Sequence, residues 1–119
     1  MPFKATLKEL VQSVDGAEGA IVVEADGEGV QWFPENSPDR LRLRAAYVAL
    51  SAESWRESIE NLKLQKTEPM VIEYQGASFL AEDLGGGYFL ILELNASANI
   101  AQAMDKIQSA GEIMRKEVA

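Results

Sequence analysis

Glu24, Asp26, Glu28, Gly29 and Glu35 fall at positions 1, 3, 5, 6 and 12 of a calcium-loop pattern. Oxygen ligands at alternate positions around a glycine turn would wrap a hard cation. The match is loose: position 1 is Glu rather than Asp, position 8 is the polar Gln31, and Pro34 stands where a following helix would begin. A β-hairpin explains the same glycines better, so no metal is expected. Gly85-Gly86-Gly87 would cradle a phosphate only with a helix N-terminus behind it. A strand-like run follows instead, with no Gly-Lys-Ser/Thr, so a turn is the better reading. Arg40, Arg42 and Arg44 form the one local basic patch, with Arg40 and Arg44 on a shared helix face. They suit either a solvated face ion-paired to nearby acids or a docking patch for an acidic partner. Glu18, Glu24, Asp26, Glu28, Glu82, Asp83 and Glu93 supply carboxylates, but the spacing forces no pair together. Histidine and cysteine are absent, which removes the commonest general base, the commonest metal ligand and any disulfide. No serine sits in an elbow motif. No catalytic residue and no cofactor are expected.

The chain has 119 residues, enough for a core and for one domain, 1–119. Hydrophobic residues make up 47% and charged residues 25%, which argues for a folded globule. A net charge of −8 repels phosphate backbones, so nucleic acid is not an expected partner. The N-terminal stretch is amphipathic rather than a signal sequence, and the apolar run Tyr88–Leu92 is too short to span a bilayer. The expectation is a cytoplasmic protein with no membrane insertion.

The elements that position these residues follow from apolar spacing. Phe3, Leu7, Leu10, Val11 and Val14 lie on one face of a helix that Asp15-Gly16 ends. Gly19–Phe33 reads as a hairpin: a mostly apolar strand Ala20–Ala25, a two-residue Asp26-Gly27 type I′ turn, and a second strand through Val30–Phe33. Glu24 is the only charge in the first strand, so both its faces should be covered. Ser37 is placed as an N-cap, with Pro38 and Asp39 opening a helix to about Leu62. Its apolar residues Leu41, Ala45, Val48, Ala52, Trp55, Ile59 and Leu62 alternate steps of four and three, a heptad-like seam. Leu43, Ala46, Tyr47 and Leu50 lie on the opposite side. A helix apolar on two sides needs two covers: the domain's own sheet and, as the natural candidate for the other, a partner copy. Beyond a polar connection, Lys63–Pro69, the strands Met70–Tyr74, Ala77–Leu84 and Tyr88–Leu94 follow, the last expected to be central. Asn99 and Gln102 fit a capping box opening a final helix, with Ile100, Met104, Ile107, Ala110, Met114 and Val118 on one face. Gly111 inside it suggests close packing. The order α-β-β-α-β-β-β-α predicts an α+β sandwich, a mainly antiparallel five-stranded sheet with helices on its faces.

In this order and spacing the chain resembles the roadblock/LC7 family over nearly its full length. The carrying stretches are Val14–Ala20, IVVEADGEGV, the central helix with alanines at its start, MVIEY, SFLAEDL and YFLILELNASANIAQAMDKI. The resemblance implies a profilin-like fold and a homodimer, or a heterodimer with a paralogue, whose sheets join at the Met70–Tyr74 edge and whose central helices pack antiparallel. The expected interface comprises Leu41, Ala45, Val48, Ala52, Trp55 and Ile59 with Val71 and Glu73 of the edge strand. It also implies a regulator or scaffold of a small Ras-like GTPase, similar to the bacterial gliding-motility members that activate a polarity GTPase as dimers. Arg40, Arg44, Tyr47 and Ser51 are the expected GTPase-facing residues. Two other classes remain open: a PAS-like or profilin-like ligand-sensing or interaction module, which would need a pocket between sheet and helix, and, more weakly, an enzyme resting on carboxylates and lysines.

Overall fold

The computed structural model describes residues 3–64 and 68–118. Part of the connection expected at Lys63–Pro69 therefore lies outside the described residues. The elements are α1 (Lys4–Ser13), β1 (Ala17–Glu24), β2 (Gly29–Phe33), α2 (Asp39–Asn61), β3 (Met70–Tyr74), β4 (Ala77–Gly85), β5 (Tyr88–Asn95) and α3 (Ile100–Val118). Every strand pairing is antiparallel, and the sheet order is β2-β1-β5-β4-β3. The apolar YFLILEL run is the central strand, as its composition requires, and MVIEY is an edge.

Two apolar layers sandwich the sheet. One joins Phe3, Leu7 and Leu10 of α1 and Ala103, Ile107 and Met114 of α3 to Ala20, Val22, Leu80, Leu90 and Leu92. The other packs Ala45, Val48, Ala49 and Ala52 of α2 on Ile21, Val23, Phe79, Ala81, Phe89 and Ile91. Alternate residues of β1, β4 and β5 thus feed opposite layers. This explains why SFLAEDL shows no clean polar–apolar alternation: both its faces are covered.

Three local details differ from the sequence expectation. The hairpin turn is not a two-residue type I′ turn. Glu24 N–H donates to Glu28 O (2.8 Å) around a three-residue loop, and Gly27 alone takes a positive φ, 97°. Asp26 therefore never enters the left-handed region. Its carboxylate accepts from Glu28 N–H (3.1 Å) instead. Ser37 does not cap α2. Its hydroxyl turns back to Pro34 O, and Pro38 holds the N-cap position without a side-chain bond. The box at α3 forms by half. Gln102 N–H donates to Asn99 Oδ1 (3.0 Å), but the Gln102 side chain accepts from Asp15 N–H (3.1 Å), tying the α1–β1 bend to α3.

Gly111 permits the close packing its position suggests. A Cβ there would lie 2.8 Å from Glu82 Cγ and 2.9 Å from its Oε2. The missing side chain lets α3 settle on β4, where Arg115 Nη1 reaches Glu82 Oε2 (3.2 Å) and Asp83 O (3.0 Å).

Candidate protein-interaction surface

A helix that lies on a sheet ordinarily turns its large apolar side chains inward. In α2 the sizes are inverted. The buried side chains are Leu41, Ala45, Val48, Ala49 and Ala52. Leu43 (60% exposed), Tyr47 (65%), Leu50 (49%), Trp55 (51%) and Leu62 (65%) face solvent. Three alanines let the helix axis sit close to the sheet, and the bulk goes outward. Contiguous exposed apolar surface of this kind marks a contact site.

The residues of the expected dimer seam fall in two sets. Leu41, Ala45, Val48 and Ala52 are buried in this protomer, the last three against the sheet. The reason lies in the helical repeat. Residues spaced by a mean of 3.5 drift backward by about 20° per heptad on a 3.6-residue helix. The series Leu41, Val48, Trp55 and Leu62 starts beneath α2 and rolls out from under it, so that Trp55 and Leu62 are exposed, while Ile59, on the same side as Leu41 but near the end of the helix, is half-buried.

The direction of that roll is fixed by contacts on the other flank. Arg42 stacks over the Trp32 ring of β2 at 4.6 Å, and a Cβ at Gly27 would come within 3.3 Å of Ala46 Cβ. The Arg42–Ala46 flank therefore leans toward β2. Ser51 and Trp55, roughly opposite on the helix at 100° per residue, lean toward the β3 edge. Val71 and Glu73 of β3 are themselves exposed. The Ser51–Trp55 flank of α2 and the exposed β3 edge thus lie toward the same side of the sheet.

The expected partner residues divide. Arg40, Tyr47 and Ser51 are exposed on α2. Arg44 has a structural task, because its Nη1 pairs with Glu93 Oε2 (3.1 Å), a carboxylate only 6% exposed on β5. The mirror of this pair on the other sheet face is Arg115–Glu82, with Glu82 7% exposed. Each buried carboxylate pins one helix to the sheet. Glu93, whose buried Oε1 has no hydrogen-bond partner among the described residues, is one of the residues lining a recess of about 180 Å³ with Glu18, Ser37 and Arg40.

The motifs with alternative chemistry resolve into structure. Glu24, Asp26 and Glu28 offer carboxylate oxygens within 4.8 Å of one another at the hairpin tip, while Glu35 has left the pattern to pair with Lys4. The Gly85-Gly86-Gly87 turn leads into β5, so no helix dipole aims at it. It borders a recess of about 410 Å³ with Glu53, Arg56, Glu60 and Asp83. Arg56 there pairs with Glu53 and Glu60. Its hydrogen bond holds the Glu53 carboxyl below the usual glutamate range. Among the described residues no helix is long and apolar enough to cross a membrane. The signal missed at sequence level is residue size: alanines at seam positions marked the sheet-facing side, not the partner-facing one.

Sheet order and two helix-covered faces match the roadblock/LC7 fold, the architecture that the sequence resembles. No family model matches the chain, and no curated protein does. Solved structures do match. A roadblock/LC7 domain from Streptomyces avermitilis superposes with a TM-score of 0.82 at 17% identity, over 96% of this chain and 95% of that one. MglC from Myxococcus xanthus gives 0.71 at 24%, over 98% and 99%. The gliding protein MglB from Thermus thermophilus gives 0.79 at 17%, over 96% and 86%.

Proposed function

We propose that this protein is a non-enzymatic, dimeric regulator or scaffold of a small Ras-like GTPase. The observation that carries the proposal is the size inversion of α2. It leaves an apolar face beside an unpaired sheet edge, on a fold shared with the gliding proteins MglB and MglC. The β3 edge and the Ser51–Trp55 flank form the border for a second copy. The crown of α2, with Arg40, Leu43, Tyr47 and Leu50, is what a GTPase meets.

In this reading the chain contributes no catalytic side chain of its own and acts by holding the GTPase's own groups in place. Arg40, exposed and at the basic end of α2, suits an acidic counterpart. The test is binding of a Ras-like GTPase, loaded with GDP or with a non-hydrolysable GTP analogue, to the wild-type chain and to Leu50→Glu. Binding in one nucleotide state, lost in Leu50→Glu, supports the reading. Absence of binding in both states across motility and polarity GTPases sinks it. A change in hydrolysis rate on binding separates activation from scaffolding.

A further inference from the structure

We infer that the recess at the start of α2 binds a small free α-amino acid, its ammonium held at Glu93 and its carboxylate at Arg40. The site shares Arg40 with the crown of α2 and does not depend on the GTPase reading.

Three segments build the recess. Phe89, Ile91 and Glu93 alternate onto the α2 side of β5, and the first two are core beneath the helix. Glu93 continues that row to the end of the sheet where α2 begins. Its neighbour on β1 is Gly19, which adds no side chain, and a Cβ there would lie 2.9 Å from Leu41 Cδ2. Glu18, just before it, falls in the bulge between Ala17 and Gly19 and is exposed. Residues 34–38 lead from β2 into α2 and supply the remaining wall. The space left is about 180 Å³.

Its chemistry has two signs. A carboxylate accepts through both oxygens. Glu93 is 6% exposed, Arg44 holds its Oε2 at 3.1 Å, and its Oε1 has no partner among the described residues. A buried acceptor in that state favours an N–H donor, most of all a cationic one. The last torsion of a glutamate is soft, so Oε1 turns to meet a donor in the recess without disturbing β5. The positive side comes from α2. Arg40 is exposed and lines the recess, and Pro38 holds the N-cap without a side-chain bond. Asp39, the acid of the first turn, is paired with Arg42. The positive end of the helix dipole therefore adds to Arg40.

A hard metal ion at Glu18 and Glu93 would be opposed by Arg40 and Arg44. A simple anion at Arg40 would be opposed by the two carboxylates. An ammonium and a carboxylate on one carbon answer both signs. Size sets the rest. A cavity of about 150 Å³ encloses a ligand of about six non-hydrogen atoms, so this one suits glycine, alanine or serine. Pro34, Pro38 and Leu41 give a short side chain an apolar wall, which favours alanine.

Titration of the isotope-labelled chain with glycine, L-alanine or L-serine, followed through its backbone amide resonances, tests the site. Saturable shifts are expected at Gly19, Arg40 and Glu93. Methylammonium and acetate each carry half of the ligand and should bind at least about tenfold more weakly than alanine. Glu93→Gln keeps the shape, removes the charge and should weaken alanine about tenfold or more. Arg40→Ala, at an exposed position, should weaken alanine to a similar degree and leave methylammonium unchanged. If circular dichroism shows Glu93→Gln to be unfolded, Arg40→Ala and the two half-ligands decide alone. Absence of saturable shifts with all three amino acids overturns the inference, and so does binding that neither variant weakens. Methylammonium binding as tightly as alanine also overturns it, because the recess then reads a lone cation, such as a lysine side chain of a docking protein.

Discussion

Gly111→Ala is expected to destabilise the protein, although a helical Gly→Ala change ordinarily does the opposite. At an unencumbered helix position alanine gains about 1 kcal/mol. At Gly111 the new methyl would stand 2.8 Å from Glu82 Cγ and 2.9 Å from Glu82 Oε2. Something must move. Glu82 is 7% exposed on β4 and is held by Arg115, whose Nη1 would itself lie 3.2 Å from the new carbon. Overpacking of this kind costs about 1–3 kcal/mol. A displaced Glu82 also loosens its ion pair, a term reduced by the partial exposure of Arg115. The net expectation is a loss of about 1–2 kcal/mol. For a chain of this length that is a fall in Tm of about 4–8 °C. Thermal unfolding followed by circular dichroism measures it directly. Repeating the change in a Glu82→Ala background removes the atoms in the way, so the sign should reverse and Gly111→Ala should become neutral or stabilising. A Tm that rises in the wild-type background would show that α3 does not need the glycine to lie on β4, and would refute the packing argument.

The two arginines that open α2 should separate cleanly in a denaturant titration. Arg44→Ala leaves Glu93 buried without its ion-pair partner and should cost about 1–3 kcal/mol; Arg40→Ala, on an exposed side chain, should stay within about 0.5 kcal/mol. Equal effects would contradict the structural role assigned to Arg44. Trp55→Glu should shift the solution mass from 2 × 13.0 = 26.0 kDa toward the 13.0 kDa monomer while preserving the circular dichroism spectrum, and a dimer that tolerates it would remove the flank from the interface. The Glu53 carboxyl is held below its ordinary range by Arg56, so its contribution is present above the unfolded-state pKa and is lost as pH falls through the lower folded value. Glu53→Gln should accordingly lower stability slightly at neutral pH and flatten the acid limb below about pH 4.3; an unchanged acid limb would show that the pair contributes nothing.

Element order and strand centrality were legible because apolar periodicity reports them directly. The run Tyr88–Leu94 could only be an inner strand, and Met70–Tyr74, entered through Pro69, suited an edge. Local turn and cap chemistry was not fully legible, because competing acceptors decide it. The Ser37 hydroxyl had Pro34 O within reach, and the Gln102 side chain found Asp15 N–H across the fold, a partner 87 residues away that spacing cannot show. The buried carboxylates Glu82 and Glu93 were visible as charges in apolar strands. Their arginines came from helices distant in sequence, so neither ion pair could be read from local pattern.

The least legible feature was which side of α2 faces the sheet, and its cause bears on function. Two apolar stripes share that helix, and hydropathy ranks both as candidates for the core. Volume decides between them. A sheet whose upward side chains include Phe79, Phe89 and Ile91 already fills the space beneath α2, so small residues must face it. Ala45, Ala49 and Ala52 meet that demand, and Leu43, Tyr47, Leu50 and Trp55 are left outside. The outer faces of α1 and α3 are by contrast mostly polar, at Lys4, Lys8, Glu9, Asp105, Lys106 and Glu112, with Ile113 as an exposed apolar exception. Polar replacement at the outer positions of α2 would leave the inner alanine contacts intact. Substituting Leu43, Tyr47, Leu50 and Trp55 together by Gln or Lys should therefore hold the unfolding midpoint of the isolated protomer nearly constant while weakening both GTPase binding at the crown and self-association at the Trp55 flank. A collapse of the fold in that variant would mean that the outer stripe is core after all.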